Sequence, residues 1–286
     1  MTVFTARAPG KLNLCLYLGP TREDGLHELV SLFESVSLAD PLVARPTDGL
    51  HDRAICATVF GENLAEEALR TAREAGLLSG PPLEVEVTKR VPIAAGMGGG
   101  SADAAAALRI AAVIEERPIS DYAGIAFQLG ADVPSQLSPG AALVHGAGER
   151  VAQIEPECLS AAAARAYVII EQREGLSTGA VFNQADRAEL PEREIVHREE
   201  ALLERISAGV DLAGLAALIE NAFEPAIVAL RPELVGLPAE LRSHGALAAA
   251  FTGSGPTSFG LFESREQAAR AADELRAKGQ IAHVAV

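Results

Sequence analysis

The feature that most constrains this chain is a run of four glycines in five residues, Gly96-Met97-Gly98-Gly99-Gly100, lodged between a strand pattern and a helix pattern. Before it, Leu83–Thr88 alternates Leu, Val, Val with Glu, Glu, Thr, as a half-buried strand does. After it, Ser101–Glu115 is an Ala-rich helical stretch. Glycine lets the backbone take positive φ and lie close to a ligand, and successive N–H groups in such a turn form an anion-binding nest. The helix start adds unpaired donors and a partial positive charge. Pro92 to Asp103 therefore reads as a phosphate-binding loop of a size for a di- or triphosphate. Ser101 stands after the last glycine, either as N-cap or with its hydroxyl on a phosphate or a Mg²⁺ ion. Ala104 to Ala107 keep the helix slim enough to pack tightly. The stretch is neither GxxxxGK[ST] nor a dinucleotide fingerprint. A flexible glycine turn with an ordinary helix cap has the same composition; the strand before and the helix after favour the anion site.

Three further segments carry chemistry-bearing residues. In Ala8-Pro9-Gly10-Lys11-Leu12-Asn13-Leu14, Pro and Gly set a turn, and Lys11 and Asn13 then share one face of the following strand. In Leu129-Gly130-Ala131-Asp132-Val133-Pro134, Gly130 ends a helix, Pro134 pushes Val133 extended, and Asp132 sits on irregular backbone. Phe251-Thr252-Gly253-Ser254-Gly255-Pro256-Thr257 is a strand running into a second glycine-rich loop. Singly, each also fits a plain structural reading: a solvated edge lysine, a helix-terminal Asp, a tight β connection. The chain has only three lysines, Lys11, Lys89 and Lys278, and two of them border these segments. Lys is a compact point charge where Arg is a planar fork, so the retained lysines mark positions suited to the compact charge.

The remaining chain supplies material for two domains, with a seam expected near residues 150–165, where Glu155-Pro156 and Ala161–Ala164 intervene. Val3–Ala8, Leu12–Leu18 (closed by Gly19-Pro20), Glu28–Leu38 and Leu42–Ala44 are strand candidates, the last two separated by Asp40-Pro41. Asn63–Ala75 and Ile119–Leu129 read as helices. Beyond Glu155, Tyr167–Ile170 is a buried strand, and Glu199–Ile206, Leu212–Ala222 and Pro232–Ser243 have helical spacing. A strand–loop–strand over Leu247–Phe262, a helix over Ser264–Lys278 and a strand over Ile281–Val286 complete an α+β tail.

Net charge narrows the partners. Lys and Arg total 24 against 39 Asp and Glu, for a net charge of −15, which repels a nucleic-acid backbone. No apolar run approaches the ~20 residues of a membrane span. The opening MTVFTARAPGKLN reads as a strand with a charge inside it rather than a signal-peptide core. Cys15, Cys56 and Cys158 are odd in number and widely spaced, as reduced packing cysteines are. A cytoplasmic protein acting on small molecules, as monomer or homodimer, is the expectation.

The order of the segments is more specific than any one of them. APGKLNLCLYLGPTREDGLHELVSLF (8–33), KRVPIAAGMGGGSADAA (89–105), LGADVP (129–134) and FTGSGPTSF (251–259), with the helix ENLAEEAL (62–69), resemble the GHMP kinases from end to end. The resemblance implies an α+β two-domain fold: an N-terminal ATP-binding domain over 1–155, like domain 2 of ribosomal protein S5, and a ferredoxin-like C-terminal domain over 156–286, with the active site in the cleft between them. Within the superfamily the motifs are most similar to the branch that phosphorylates the 2-hydroxyl of a cytidine-diphosphate methylerythritol in non-mevalonate isoprenoid synthesis. Another member, of homoserine or mevalonate type, is the alternative, and a catalytically silent nucleotide-binding protein a more distant one. By the resemblance, Lys11 and Asp132 are the catalytic pair. Asp132 takes the proton of the acceptor hydroxyl or only positions it, while Lys11 polarises the hydroxyl and the γ-phosphate. The ATP loop spans Pro92, Gly96, Gly98, Gly99, Gly100, Ser101 and Ala102, with Ser101 near the β-phosphate and Mg²⁺. Asn63 and Lys89 lie around the adenine. Asn13, His27, Phe182, Gly253 and Ser254 face the acceptor: His27 on the cytidine, Phe182 stacked on the cytosine, and Asn13 at the methylerythritol end. The chain departs from the family in Leu26 for the usual Tyr of DGYH, Ala102 for the second Ser of GGGSS, and Ser135-Gln136 after ADVP.

Overall fold

The computed structural model describes residues 2–58, 61, 63–159, 165–187 and 195–286. These form two compact units: one from Met1–Gly10, Leu38–Ile93 and Gly98–Pro139, the other from Lys11–Ser37, Ala94–Met97 and Gly140–Val286. Two long strands, β1 (Phe4–Thr21) and β2 (His27–Pro46), each contribute residues to both units.

In the first unit, β3 (Arg53–Ile55) leads to helix α1 (Leu64–Glu74) and strand β4 (Leu83–Val87). β4 pairs parallel with β3 and antiparallel with β2, Leu42 opposite Val87 and Pro46 opposite Leu83. Then come α2 (Gly99–Ile114), α3 (Ala123–Leu129) and α4 (Val133–Gln136). Asn63 caps α1, its Oδ1 accepting the Ala65 N–H at 3.0 Å. The apolar stripe Ala65, Ala68, Leu69 and Ala72 is buried in one cluster with Ala104–Ala107 of α2. Small side chains on α2 let the helix that carries the glycine loop sit close under its neighbour, and their replacement by larger ones would overfill the contact.

In the second unit, β5 (Ala141–Gly146) and β6 (Arg150–Ile154) form a hairpin that extends β2, with Leu29 opposite Gly146 and Glu34 opposite Ala141. β7 (Ala166–Glu171), α5 (Thr178–Arg187), α6 (Ile195–Ser207), α7 (Leu212–Ala216) and the short β8 (Glu220–Asn221) follow, β8 pairing parallel with β1 at Cys15 and Leu16. The chain continues through α8 (Glu224–Leu230), α9 (Leu237–Ser243), β9 (Ala248–Phe251), β10 (Ser258–Phe262), α10 (Arg265–Ala277) and β11 (Ile281–Ala285). Strands β11, β7, β10 and β9 lie in that order in a four-stranded sheet. β7 sits inside it and is apolar throughout Ala166–Ile170, as a strand covered on both faces must be.

Several expectations are corrected. Pro9-Gly10 is not a turn: β1 runs through it and on through Gly19-Pro20 to Thr21. A proline φ suits extended backbone, so the ring does not break a strand that can spare its N–H. Nor does Asp40-Pro41 divide β2, because the Asp40 carboxylate is buried and fully engaged: it accepts the Val91 N–H at 2.8 Å, the Arg90 N–H and the Lys89 ammonium. Val133 is helical rather than extended; Pro134 lies in the first turn of α4, where its missing N–H costs nothing. The helix expected over Leu212–Ala222 ends at Ala216 and gives way to β8, and Pro232–Ser243 is a 3₁₀ turn followed by α9. Ile119–Leu129 likewise begins as a 3₁₀ turn before α3. The Ala161–Ala164 part of the expected seam, and Glu62 of the ENLAEEAL segment, lie outside the described residues.

Candidate active site

The glycine loop begins where β4 ends. Pro92 is buried, and Ala94 holds a left-handed φ of 52°, unusual for a residue with a Cβ. Its carbonyl accepts the Leu176 N–H at 3.2 Å, and a Cβ on Gly175 would lie 2.6 Å from the Ala94 Cβ. Gly96 (φ 78°) and Gly98 (φ 64°) turn the chain back towards α2. Gly98, not Ser101, is the residue that caps α2, with left-handed backbone and no side-chain bond. Ser101 is the third residue of the helix. The first helical bond at this end is Ala102 N–H to Gly98 O at 2.8 Å, so the N–H groups of Gly99, Gly100 and Ser101 precede it. Gly100 is exposed, while Gly99 and Ser101 are half-buried. Three consecutive donors at a helix start on partly open backbone make a cradle for an oxyanion.

Lys11 is buried. Its Nζ donates to Asn13 Oδ1 at 2.6 Å and to Gly96 O at 3.0 Å, and stands 4.7 Å over the Phe33 ring. Its backbone N–H donates to Met97 O at 2.9 Å. Asn13, also buried, donates from Nδ2 to Ser31 Oγ at 2.9 Å, and its Oδ1 accepts from Thr252 Oγ1 at 3.2 Å. The amide orientation is thus fixed by both neighbours. The second glycine loop closes on the first. A Cβ on Gly96 would lie 2.2 Å from Thr252 O, and one on Gly253 would lie 2.7 Å from Gly96 O and 3.2 Å from Lys11 Nζ. Gly253 also has φ 53°. Asn221, buried on β8, donates to Phe251 O at 2.9 Å and Gly253 O at 2.8 Å and so holds the second loop in shape. Ser254 Oγ and Thr178 Oγ1 are 3.0 Å apart. The structure therefore brings Lys11, Asn13, Gly96, Gly253 and Ser254 into one cluster.

Asp132 occupies the N-cap position of α4 and is half-buried. Ser135 Oγ donates to its carbonyl at 2.8 Å, and Val133 N–H to Gly130 O at 3.0 Å. A Cβ on Gly130 would stand 3.5 Å from Ser101 Oγ, so the turn that carries Asp132 packs beside the start of α2.

His27 and Phe182 meet, their ring centroids 5.2 Å apart and tilted by 37°. Phe182 packs edge-on to the buried Phe223 at 4.7 Å, so it is neither a core residue nor a free one. His27 has Gly19 O 3.3 Å from Nδ1 and Asp186 Oδ1 3.1 Å from Nε2, acceptors on both sides of the ring. With both edges engaged, His27 presents its face. Leu26 is 44 % exposed.

Two assignments change character. The Asn63 side chain is engaged in capping α1. Lys89 is buried between two carboxylates, donating to Asp103 Oδ2 at 2.8 Å and to Asp40 Oδ2. Burial alone would pull its ammonium pKa down, but Asp103 and Asp40 together raise it above the ordinary lysine value. One ammonium cannot offset two buried carboxylates. Asp40 has backbone donors as well and Asp103 does not, and its Oδ1 has no partner, so burial pushes the Asp103 carboxyl up. Asp40, Asp103, Asn221 and Asp186 were given no role by sequence reasoning. Asp40 reads in sequence as part of a break between two strands, and the others carry no local signal.

The residues 63–145 match the family described as GHMP kinases N terminal domain, and 200–281 match GHMP kinases C terminal. A 4-diphosphocytidyl-2-C-methyl-D-erythritol kinase of Streptomyces coelicolor is 38% identical, with 96% of this chain and 93% of that protein covered. One from Thermobifida fusca is 36% identical over 98% of this chain and 94% of its own length. The crystal structure of a 4-(cytidine 5'-diphospho)-2C-methyl-D-erythritol kinase superposes with a TM-score of 0.77 at 31% identity, covering 99% of this chain and 98% of that one. These matches define the chain as a small-molecule kinase. The chain belongs to the GHMP kinases and, among them, to the 4-diphosphocytidyl-2-C-methyl-D-erythritol kinase family.

The close approach of the two loops yields a test. Gly253→Ala places a methyl 2.7 Å from Gly96 O in a left-handed conformation. Displacements of about 1 Å at a reacting centre cost on the order of 10²-fold in rate. Steady-state kinetics should show a loss of kcat of that order in a protein whose circular dichroism is unchanged.

Proposed function

We propose that this chain transfers the γ-phosphate of ATP to the 2-hydroxyl of 4-diphosphocytidyl-2-C-methyl-D-erythritol, a step of the non-mevalonate route to isoprenoid precursors. GHMP kinases use ATP as co-substrate, and relatives aligned end to end carry the name of this activity. The observation that carries the reading is the cluster in which Lys11, Asn13 and the Gly253 turn pack on the first glycine loop. The nucleotide-binding work falls to a domain over 1–155 and the remainder to one over 156–286, a division supported by family matches on either side of residue 155.

Phosphoryl transfer asks for alignment and charge compensation more than covalent chemistry. The donors of Gly99, Gly100 and Ser101 receive the phosphates, with Gly96 and Gly98 shaping the turn. Asp132 accepts the proton of the acceptor hydroxyl, and Lys11 compensates the charge that develops on the transferred group. Asn13, fixed by Ser31 and Thr252, orients the methylerythritol end, with Gly253 and Ser254 beside it. The cytosine stacks on Phe182 against the His27 face, while the exposed Leu26 replaces an aromatic ring with a smaller apolar surface. Asn63, at the start of α1, stands as the candidate beside the adenine, while the Lys89 ammonium is held by Asp40 and Asp103.

Among the described residues no three His, Cys, Asp or Glu side chains converge as metal ligands. Mg²⁺ in kinases is held largely by water and substrate phosphates with one or two protein oxygens, so the Ser101 hydroxyl at the start of α2 fits the ion that accompanies ATP. Held there, Mg²⁺ would supply positive charge to offset that of the phosphates. No helix among the described residues is long and apolar enough to cross a membrane, and a cytoplasmic location accords with small, charged substrates.

Incubation of the purified protein with ATP and each of the cytidylated substrate, homoserine and mevalonate should give phosphorylation of the first alone. Turnover of either other acceptor, without the first, would overturn the reading. Asp132→Asn should lower kcat by about 10²–10⁴-fold, the range for a positioned acid–base group; turnover at the unaltered rate would remove the catalytic assignment. Base stacking is worth about 1–3 kcal/mol, so Phe182→Ala should raise the KM of the cytidylated substrate by roughly 5- to 150-fold and leave the KM of ATP within about twofold.

A further inference from the structure

Beneath the glycine loop lie three charged groups that the mechanism above leaves without a transfer role: Asp40 on β2, Lys89 at the end of β4, and Asp103 in the first turns of α2. We infer that Lys89 is a positioning residue for the phosphate loop rather than a contact of the nucleotide base, tying the entrance of the loop to its exit through the two aspartates. The inference rests on the loop being the triphosphate site.

The geometry is that of a closed clasp. Asp40 Oδ1 accepts the N–H groups of Arg90 and Val91, the residues that lead into the loop, the latter at 2.8 Å. Asp40 Oδ2 accepts from Lys89 Nζ, which donates in turn to Asp103 Oδ2 at 2.8 Å, fourteen residues further on. The three side chains are 0 %, 8 % and 7 % exposed for Asp40, Lys89 and Asp103, so the ammonium has little surface left to offer a base. The loop is also fitted around it. A Cβ on Gly99 would stand 3.2 Å from Lys89 Nζ and 3.1 Å from Val91 Cγ1. Gly99 therefore has a packing reason to be glycine as well as a ligand reason.

The energetics favour positioning over bulk stability. Two buried carboxylates share one ammonium, and Asp103 Oδ1 has no hydrogen-bond partner. Such an arrangement is a poor source of net stability, since desolvation offsets the Coulombic gain and an apolar trio of the same volume would serve as well. What it supplies is a unique geometry. Four glycines in five residues give the loop a large backbone freedom. That freedom must be removed before three N–H groups can be preorganised for an anion. A clasp that joins Val91 to Asp103 removes it at both ends, with a compact charge that a guanidinium fork would not match in the space beside Gly99.

Two variants separate the readings. Asp103→Asn is isosteric, leaves Lys89 paired with Asp40 and removes one side of the clasp. Lys89→Met removes the ammonium and leaves two carboxylates buried; should it fail to fold by circular dichroism, Asp103→Asn decides. Each folded variant is measured for the KM of ATP and of GTP, the inhibition constant of inorganic tripolyphosphate against ATP, and the KM of the cytidylated acceptor. A clasp acts on the phosphates, so all three phosphate ligands should weaken by a common factor, about tenfold, or 1.4 kcal/mol. The ATP-to-GTP ratio and the KM of the acceptor should hold within about twofold. A changed ATP-to-GTP ratio, or weakened ATP with unaltered tripolyphosphate, would make Lys89 a base contact and overturn the proposal. So would wild-type values for folded Asp103→Asn. If tripolyphosphate fails to compete with ATP in the unsubstituted enzyme, the reading of the loop itself falls instead.

Discussion

Much of this structure depends on two backbones meeting with no side chain between them. Gly96 and Gly253 approach so closely that a methyl on either would collide with the other's turn, at 2.2 Å from Thr252 O and 2.7 Å from Gly96 O. That contact decides where Lys11 can go. Its ammonium lies against the Gly96 carbonyl and Asn13 Oδ1, and 3.2 Å from the space a Gly253 Cβ would fill. A lysine on a strand is ordinarily a long, mobile cation in water. Here burial, two acceptors and the Phe33 ring reduce it to a fixed point charge. A charge fixed in this way needs no ordering at the moment a ligand meets it.

The glycines of the two loops consequently do different work. Gly98 supplies a left-handed cap that starts α2 without a side chain, leaving the first N–H groups of the helix clear of an internal competitor. Gly96 and Gly253 give room for backbone-to-backbone packing, and Gly99 gives room for Lys89. Ala94, with positive φ but a Cβ, is held by the Leu176 N–H and the close approach of Gly175. Residual strain of this kind persists only where the surroundings over-determine the backbone, and it gathers at functional loops.

The legibility of these features in the sequence follows the range of the forces involved. Elements set by local periodicity were readable: α1 within Asn63–Ala75, the alternating β4, and α10 between Ser264 and Lys278 all lie where their patterns place them. Local breaking signals misled where a distant partner satisfied the residue. Asp40-Pro41 looks like a turn until Asp40 is given the N–H groups of Arg90 and Val91, fifty residues away. The cap of α2 was misplaced for a related reason. Ser101 has the right chemistry, but Gly98 can adopt the left-handed φ that starts the helix three residues earlier. Short helices such as α8, at seven residues, have too few turns to imprint a period and owe their existence to packing. For the site, the resemblance supplied residues but not their environments: it pointed to His27 and Phe182, yet not to Asp186 on the far edge of the imidazole.

The two lysines that border the glycine loop show why a residue's place in a motif does not fix its work. Both are buried, and both are compact charges in a chain that otherwise uses arginine. Lys11 donates to an amide oxygen and a carbonyl and lies over an aromatic face. Lys89 meets two carboxylates, which cancel its charge and more. The Lys89 ammonium is thereby spent on the two aspartates that flank the loop. Residue type and place in a motif are alike for the two lysines, and their surroundings differ: an amide, a carbonyl and a ring beside one, paired carboxylates beside the other.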